Sequence, residues 1–110
     1  MAVGFDFYQD VSATTAVYPP EQALTYLSLG LASEAGEVCG KIKKAIRDNN
    51  GIVNSDTRDA LLDELGDVLW YVARMADELG FNLEKIASDN IAKLESRKHR
   101  GVLGGSGDNR

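Results

Sequence analysis

Residues 20–51 read PEQALTYLSLGLASEAGEVCGKIKKAIRDNNG, and this stretch decides the fold class. Apolar side chains recur in it every three or four residues, which is the spacing of one face of an α-helix. Its opening proline suits a first helical turn, and the Asn-Asn-Gly at its end stops a helix. The pattern predicts one long helix over about residues 20–47. Its apolar face consists of Leu24, Leu27, Leu31, Ala35, Val38, Ile42 and Ile46.

The same spacing predicts two more long helices downstream. The second begins near Thr57, is capped by Ser55 or Asp56, and ends at Gly80. Asn82 is predicted to cap the third helix, which continues to about residue 100. Because only three residues link these helices, they are expected to be antiparallel neighbours.

The whole chain is predicted to be all-α, since no segment alternates as a strand does. A short N-terminal helix is expected over about residues 4–15, and the glycine-rich tail, 101–110, is expected to be a flexible end rather than an anion-binding nest. The prediction is a single domain over residues 1–110, a bundle of three main helices plus the short one. Oligomerisation is expected to complete this bundle, because a chain this short has a small core.

Composition excludes several classes of protein. The 17 acidic and 12 basic residues give a net charge of −5, which excludes a general binder of nucleic-acid polymers. No apolar run approaches the roughly 20 residues of a membrane span. Cys39 and His99 are the sole residues of their types, so neither a disulfide framework nor a Cys–His nucleophile is supported. The expected location is cytoplasmic.

One acidic pattern occurs twice, as Glu34-Ala-Gly-Glu37-Val and as Glu64-Leu-Gly-Asp67-Val. Each copy places two carboxylates three residues apart on one helix face. When the two helices pack, the four carboxylates can converge and bind hard divalent cations. The alternative is a solvated or structural-cation-binding acidic face on a non-catalytic helical dimerisation module.

A glycine lies inside each copy of this pattern. Gly36 and Gly66 each cost a helix about 1 kcal/mol relative to alanine. Two such costs at matching positions predict close backbone packing or a need for space.

Polar and cationic residues that suit phosphate oxygens follow at helical spacing. Two lie on the first long helix and three share a face of the third. The simpler alternative for each is an intrahelical ion pair worth only about 0.3–0.5 kcal/mol. The candidates are Lys41, Lys44, Asn90, Lys93 and Arg97.

Together, segments 31–38, 62–69 and 90–97 resemble the MazG-like all-α nucleoside triphosphate pyrophosphohydrolases. The resemblance implies hydrolysis of a (deoxy)nucleoside triphosphate between its α- and β-phosphates. The products are a nucleoside monophosphate and pyrophosphate, and the implied role is control of the nucleotide pool. It also implies a homodimer or a tetramer.

Site residues follow from the same resemblance. It implies two or more Mg²⁺ ions per site, with Mn²⁺ as a substitute, and triphosphate contacts from Lys93 and Arg97 with Asn90 beside them. Asp63 is a further acid near the ligands, and Ser33 departs from relatives that carry a second consecutive Glu. The implied metal ligands are Glu34, Glu37, Glu64 and Asp67.

The predicted reaction is in-line attack of water on the α-phosphorus, with the ions lowering the pKa of that water. Glu37 is the first choice as proton acceptor and Glu34 the second. An enzyme specialised for dUTP or dCTP is an alternative, because the acids do not identify the base. Trp70 is expected to lie a full flank away from the acids of its own helix. The candidates for base stacking are Phe5, Phe7, Tyr8, Tyr26, Trp70 and Tyr71.

Overall fold

The computed structural model describes residues 2–110, so Met1 lies outside it. Four α-helices and two short 3₁₀ turns account for most of this range, and it contains no strand. The predicted all-α class is therefore confirmed. No helix in the described range is both long enough and apolar enough to cross a membrane. The helices are α1 (Phe5–Ser12), α2 (Ala23–Asp48), α3 (Ser55–Glu78) and α4 (Leu83–His99), and the 3₁₀ turns are Ala13–Thr15 and Pro20–Gln22.

The start of α3 differs from its prediction. The helix begins at Ser55, and the residue that caps it is Asn54, so the prediction of Ser55 or Asp56 as cap is wrong. The Asn54 side chain accepts a hydrogen bond from the Thr57 N–H at 2.9 Å. Asparagine is among the strongest N-caps because its side chain reaches the otherwise unpaired amides of the first turn. The predicted stop at Gly80 is correct, with φ at +78°.

Helices α2 and α3 pack against each other along their lengths and form the main body of the protein. The core between them is thin: of its large side chains, only Leu27 is completely buried. Much of the predicted apolar face of α2 stays exposed, including Leu24 at 46% and Ile46 at 65%. The radius of gyration is 16.8 Å, against roughly 13 Å for a compact chain of about this length. A single copy therefore leaves broad apolar surfaces uncovered.

Helix α4 does not run beside α3 as the short link suggested. It contacts α3 and α1 about equally sparsely. Helix α1, of 8 residues, lies against α3 near the turn between α3 and α4.

A buried glutamine fixes this arrangement. The side-chain oxygen of Gln9 accepts from the Leu83 N–H at 2.7 Å, and its amide nitrogen donates to the Phe81 carbonyl at 3.0 Å and to Asp77. The buried Arg74 guanidinium donates to the Gln9 carbonyl and to the Ser12 hydroxyl. These bonds hold α1 against the turn that joins α3 to α4.

The tail, residues 101–110, forms a series of turns, and its flexibility stays a prediction. Its turns place Gly101, Gly105 and Gly107 at positive φ, a conformation that glycine adopts without steric cost. Arg110 donates to the carbonyls of Leu103, Gly104 and Gly107. One arginine therefore holds the glycine-rich turns together.

Candidate functional site

Three of the four predicted acidic ligands meet between α2 and α3. Glu34 comes from α2, and Glu64 and Asp67 come from successive turns of α3. One carboxylate oxygen of each lies within 4.8 Å of those of the other two. These three residues are called the acidic cluster below. Glu37, the fourth predicted ligand, lies outside this group.

Repulsion within the acidic cluster acts most visibly on Glu34. A hydrogen bond with Glu64 is the first cause that raises the pKa of the Glu34 carboxyl. Partial burial and the negative charges of Asp67, Glu64 and Glu37 raise this pKa further. Like charges that cannot all be solvated favour a bound proton or a bound cation.

Glu64 provides the clearest evidence that the cluster suits a cation. Its Oε1 lies 3.5 Å from the Lys41 ammonium, while its Oε2 is buried and has no hydrogen-bond partner. A buried carboxylate oxygen without a partner is costly unless something neutralises it. Oxygen ligands of this kind are those that Mg²⁺ and Mn²⁺ prefer, so the residues present fit a divalent ion.

A cleft of about 280 Å³ opens directly beside the acidic cluster. Thr15, Trp70 and Tyr71 line it together with Glu34 and Asp67, and these five residues define the aromatic cleft. The Trp70 indole N–H donates to the Thr15 hydroxyl at 2.8 Å. The prediction that Trp70 lies away from the acids is wrong, because residues three apart on a helix are neighbours.

The two rings that line this cleft belong to a group of four packed aromatic rings. Trp70 packs edge-on against Tyr71 with ring centres 4.9 Å apart, and edge-on against Tyr18 at 6.4 Å. Tyr18 stacks on Tyr26 at 5.4 Å. Burial raises the pKa of the Tyr71 hydroxyl, as do Tyr26 and the charges of Glu34 and Asp67. The Tyr71 hydroxyl therefore stays protonated at neutral pH.

A second cleft, of about 320 Å³, lies where α2 ends and α3 begins. Lys41 and Lys44 both line it, and Lys41 also contacts the acidic cluster through Glu64. The structure thus brings the two predicted α2 cations to one side of the acids. In the aromatic cleft, Thr15, Trp70 and Tyr71 provide the uncharged walls.

The sequence of this chain resembles the sequences of known proteins. The family described as MazG nucleotide pyrophosphohydrolase domain matches residues 22–102. The chain belongs to this MazG family. It is also similar to the Gene 37 protein of Mycobacterium phage L5, at 46% identity over 96% of this chain and 97% of that protein. No solved structure matches the chain.

The match to the MazG domain contains the whole acidic cluster and most of the aromatic cleft. Thr15 lies before residue 22, so one wall of the cleft comes from a segment outside the family match. The sequence feature that corresponds to this wall is the Thr-Thr pair that follows α1. The sequence alone could not assign this pair to the site, because nothing local connects residue 15 to residue 70.

The residues of α4 that are predicted to contact the triphosphate lie apart from the acidic cluster. Lys93 and Arg97 both face Asp108 of the tail, at 3.9 Å and 3.6 Å from its carboxylate. Within residues 2–110, no ion pair joins either cation to the acidic cluster. Asn90 and Lys93 share a separate shallow cleft on α4.

Within residues 2–110, Asp63, Cys39 and the two glycines of the acidic pattern take no part in the contacts described above. Asp63 is exposed beside the acidic cluster, and Cys39 is exposed. Gly36 and Gly66 have open space where a Cβ would stand, so neither marks close packing within one chain. The close approach occurs instead at Gly30, where a Cβ would overlap the Tyr71 ring.

Proposed function

We propose that the chain hydrolyses a (deoxy)nucleoside triphosphate to a nucleoside monophosphate and pyrophosphate, with Mg²⁺ as the cofactor and Mn²⁺ as a substitute. The observation that carries this proposal is the acidic cluster with its buried, unpaired Glu64 Oε2. Membership in the MazG family supports the reaction class. Controlling the nucleotide pool is the proposed role.

Glu34, Glu64 and Asp67 are the proposed metal ligands, and Glu37 joins them from the next turn of α2. When bound, the divalent ions supply positive charge that stabilises the phosphate oxygens and lowers the pKa of water. Asp63 supports the ligands from the adjacent position of α3. Two or more ions per site are proposed, because four carboxylates can neutralise that much charge.

The two clefts support one orientation for the substrate. We place the base in the aromatic cleft, where the rings of Trp70 and Tyr71 offer stacking surfaces and Thr15 offers a hydroxyl. The phosphates then extend over the acidic cluster toward Lys41 and Lys44. Lysine ammonium groups suit the outer phosphate oxygens that metal ions leave unpaired.

A carboxylate of α2 is the proposed proton acceptor for the attacking water. Glu37 is the first choice: it lies on α2 one turn from Glu34 and outside the three carboxylates that meet most closely. Glu34 is the second choice, because it lines the aromatic cleft in which the substrate is placed. Lys93, Arg97 and Asn90 are proposed to contact the triphosphate in the assembled protein.

The activity test measures the products. The chain with Mg²⁺ and mixed nucleoside triphosphates is expected to release pyrophosphate and monophosphate in equal amounts. Release of single phosphate contradicts the proposed cleavage position. No release of either product contradicts the proposed activity and favours the non-catalytic dimerisation module. Separate assays of each standard nucleotide distinguish a broad enzyme from one specialised for dUTP or dCTP.

Charge-neutral variants assign the residues. Glu37→Gln and Asp67→Asn are each expected to lower kcat at least about 100-fold at saturating Mg²⁺. Asp59→Asn is the matched control, because Asp59 is an exposed acid of α3 outside the proposed site. Near-normal pyrophosphate release by either site variant refutes its assignment.

We also propose that the chain acts as a homodimer or a tetramer. The exposed apolar faces of α2 and α3 support this, as does the low compactness of one copy. Sedimentation equilibrium at micromolar concentration is expected to give a multiple of the 11.9 kDa chain mass. A mass of one chain contradicts the proposal.

A further inference from the structure

The cationic pair on α4 is occupied by the chain itself. Arg97 donates from Nη2 to the main-chain oxygen of Asp108 at 2.9 Å and lies 3.6 Å from its carboxylate Oδ1. Lys93 lies 3.9 Å from the same Oδ1. One residue of the tail therefore serves as the anion for both cations.

Asp108 satisfies this pair incompletely. The Arg97 side chain is only 6% exposed, and its Nε is buried without a hydrogen-bond partner. A guanidinium offers five N–H donors in a planar fork, which phosphate matches with several oxygens at once. A phosphate group can therefore satisfy Arg97 more fully than a single carboxylate oxygen at 3.6 Å.

The turns of the tail are joined mainly by bonds of their own. Arg110 holds its turns together through the carbonyls of Leu103, Gly104 and Gly107, and none of these bonds involves α4. The hydrogen bonds and ion pairs that join residues 108–110 to α4 and its C-cap are those of Asp108 and one bond from Arg100 to the Arg110 carbonyl at 3.0 Å. The Asp108 side chain is 91% exposed, so its ion pairs are weak.

We propose that Asp108 is an internal competitor for a phosphate group at Lys93 and Arg97. The carboxylate occupies this anion site in the free protein, and a phosphate of the substrate or product displaces it together with the tail. The inference rests on the proposed function for the identity of the anion. It adds a regulatory contact, because the tail lowers the affinity of the site for phosphate.

The test measures binding of inorganic pyrophosphate by calorimetry to the full chain in EDTA, so that the acidic cluster cannot hold the anion through a metal. Asp108→Asn keeps the shape of the side chain and removes its charge. It is expected to bind pyrophosphate about two- to fivefold more tightly than the wild type, the range for loss of an exposed ion pair. Asp59→Asn makes the same charge change away from the tail and is expected to leave affinity unchanged.

Two further measurements keep the outcome decisive. In the Lys93→Gln background, the gain in affinity from Asp108→Asn is expected to shrink, because only Arg97 then pairs with Asp108. In NMR spectra, pyrophosphate is expected to shift the Gly105 and Gly107 amides of the wild type as the tail leaves. Equal or weaker binding by Asp108→Asn, or no binding by either protein, overturns the inference. Nucleotide hydrolysis plays no part in these readouts, so failure of the proposed function is distinguished by the separate product assay.

Discussion

The ring of Tyr71 in α3 lies against the backbone of Gly30 in α2, with no space for a Cβ between them. Tyr71 also forms one wall of the aromatic cleft beside the acidic cluster. The absence of a side chain at residue 30 therefore positions a wall of the proposed nucleotide site.

Gly30→Ala is expected to displace the Tyr71 ring. Overpacking of this kind costs about 1–3 kcal/mol, which exceeds the gain of at most about 1 kcal/mol in helix propensity. A lower Tm and a several-fold higher KM for nucleotide are the expected results. Gly40→Ala is the control: it lies in the same helix with open space around its Cα, and it is expected to raise Tm. A rise in Tm for both variants contradicts the packing argument.

Glu34→Gln is expected to stabilise the metal-free protein. Because its pKa is raised in the fold, Glu34 contributes stability at acidic pH that is lost as the pH rises through the raised value. Removing this charge is expected to raise Tm at pH 8 in EDTA by roughly 2–5 °C, with little change near pH 4. Addition of Mg²⁺ is expected to stabilise the wild type more than the variant.

The control for this measurement is Glu95→Gln, which neutralises an exposed acid of α4. Its melting curve is expected to follow that of the wild type at both pH values. If Glu34→Gln lowers Tm in EDTA, repulsion among the carboxylates of the acidic cluster does not destabilise the metal-free protein. The proposed metal site then loses its main support.

Trp70 is the single tryptophan, so its fluorescence reports on the aromatic cleft alone. Nucleotide binding is expected to change its emission. Trp70→Ala is expected to raise KM about 5- to 100-fold with little change in kcat, because stacking on an aromatic ring contributes about 1–3 kcal/mol per base. Mg²⁺ is expected to stabilise this variant as it does the wild type. An unchanged KM excludes Trp70 from base binding.

Gln9→Leu is expected to destabilise the fold by about 2–4 kcal/mol, since it leaves buried polar groups of the α3–α4 turn without partners. Chemical denaturation of the variant measures this loss. Gln22→Leu, an exposed amide at the start of α2, is expected to change stability by less than about 0.5 kcal/mol. Equal effects of the two substitutions show that the Gln9 bonds do not fix α1.

Periodicity and helix-stopping residues determined the elements of this protein. The apolar spacing that follows Pro20 predicted a long helix, and Gly80 ended α3 where expected, because these signals act within one or two turns of chain. The sequence also predicted that the two acids of each pair are neighbours, because residues three apart share a helix face. The cap at Asn54 was missed because three consecutive residues there can each cap a helix.

Tertiary structure alone decided which of these residues meet. Packing of α2 on α3 joins Glu34 to Glu64 and Asp67 and leaves Glu37 outside, because the register of two helices depends on contacts such as that of Tyr71 with Gly30. Bonds that link residue 9 to residues 77–83 hold the N-terminal helix at the turn between α3 and α4. Asp108 reaches Arg97 because the turns at Gly101, Gly105 and Gly107 reverse the direction of the chain. Contacts across such sequence distances depend on the summed packing of all elements, which no local pattern encodes.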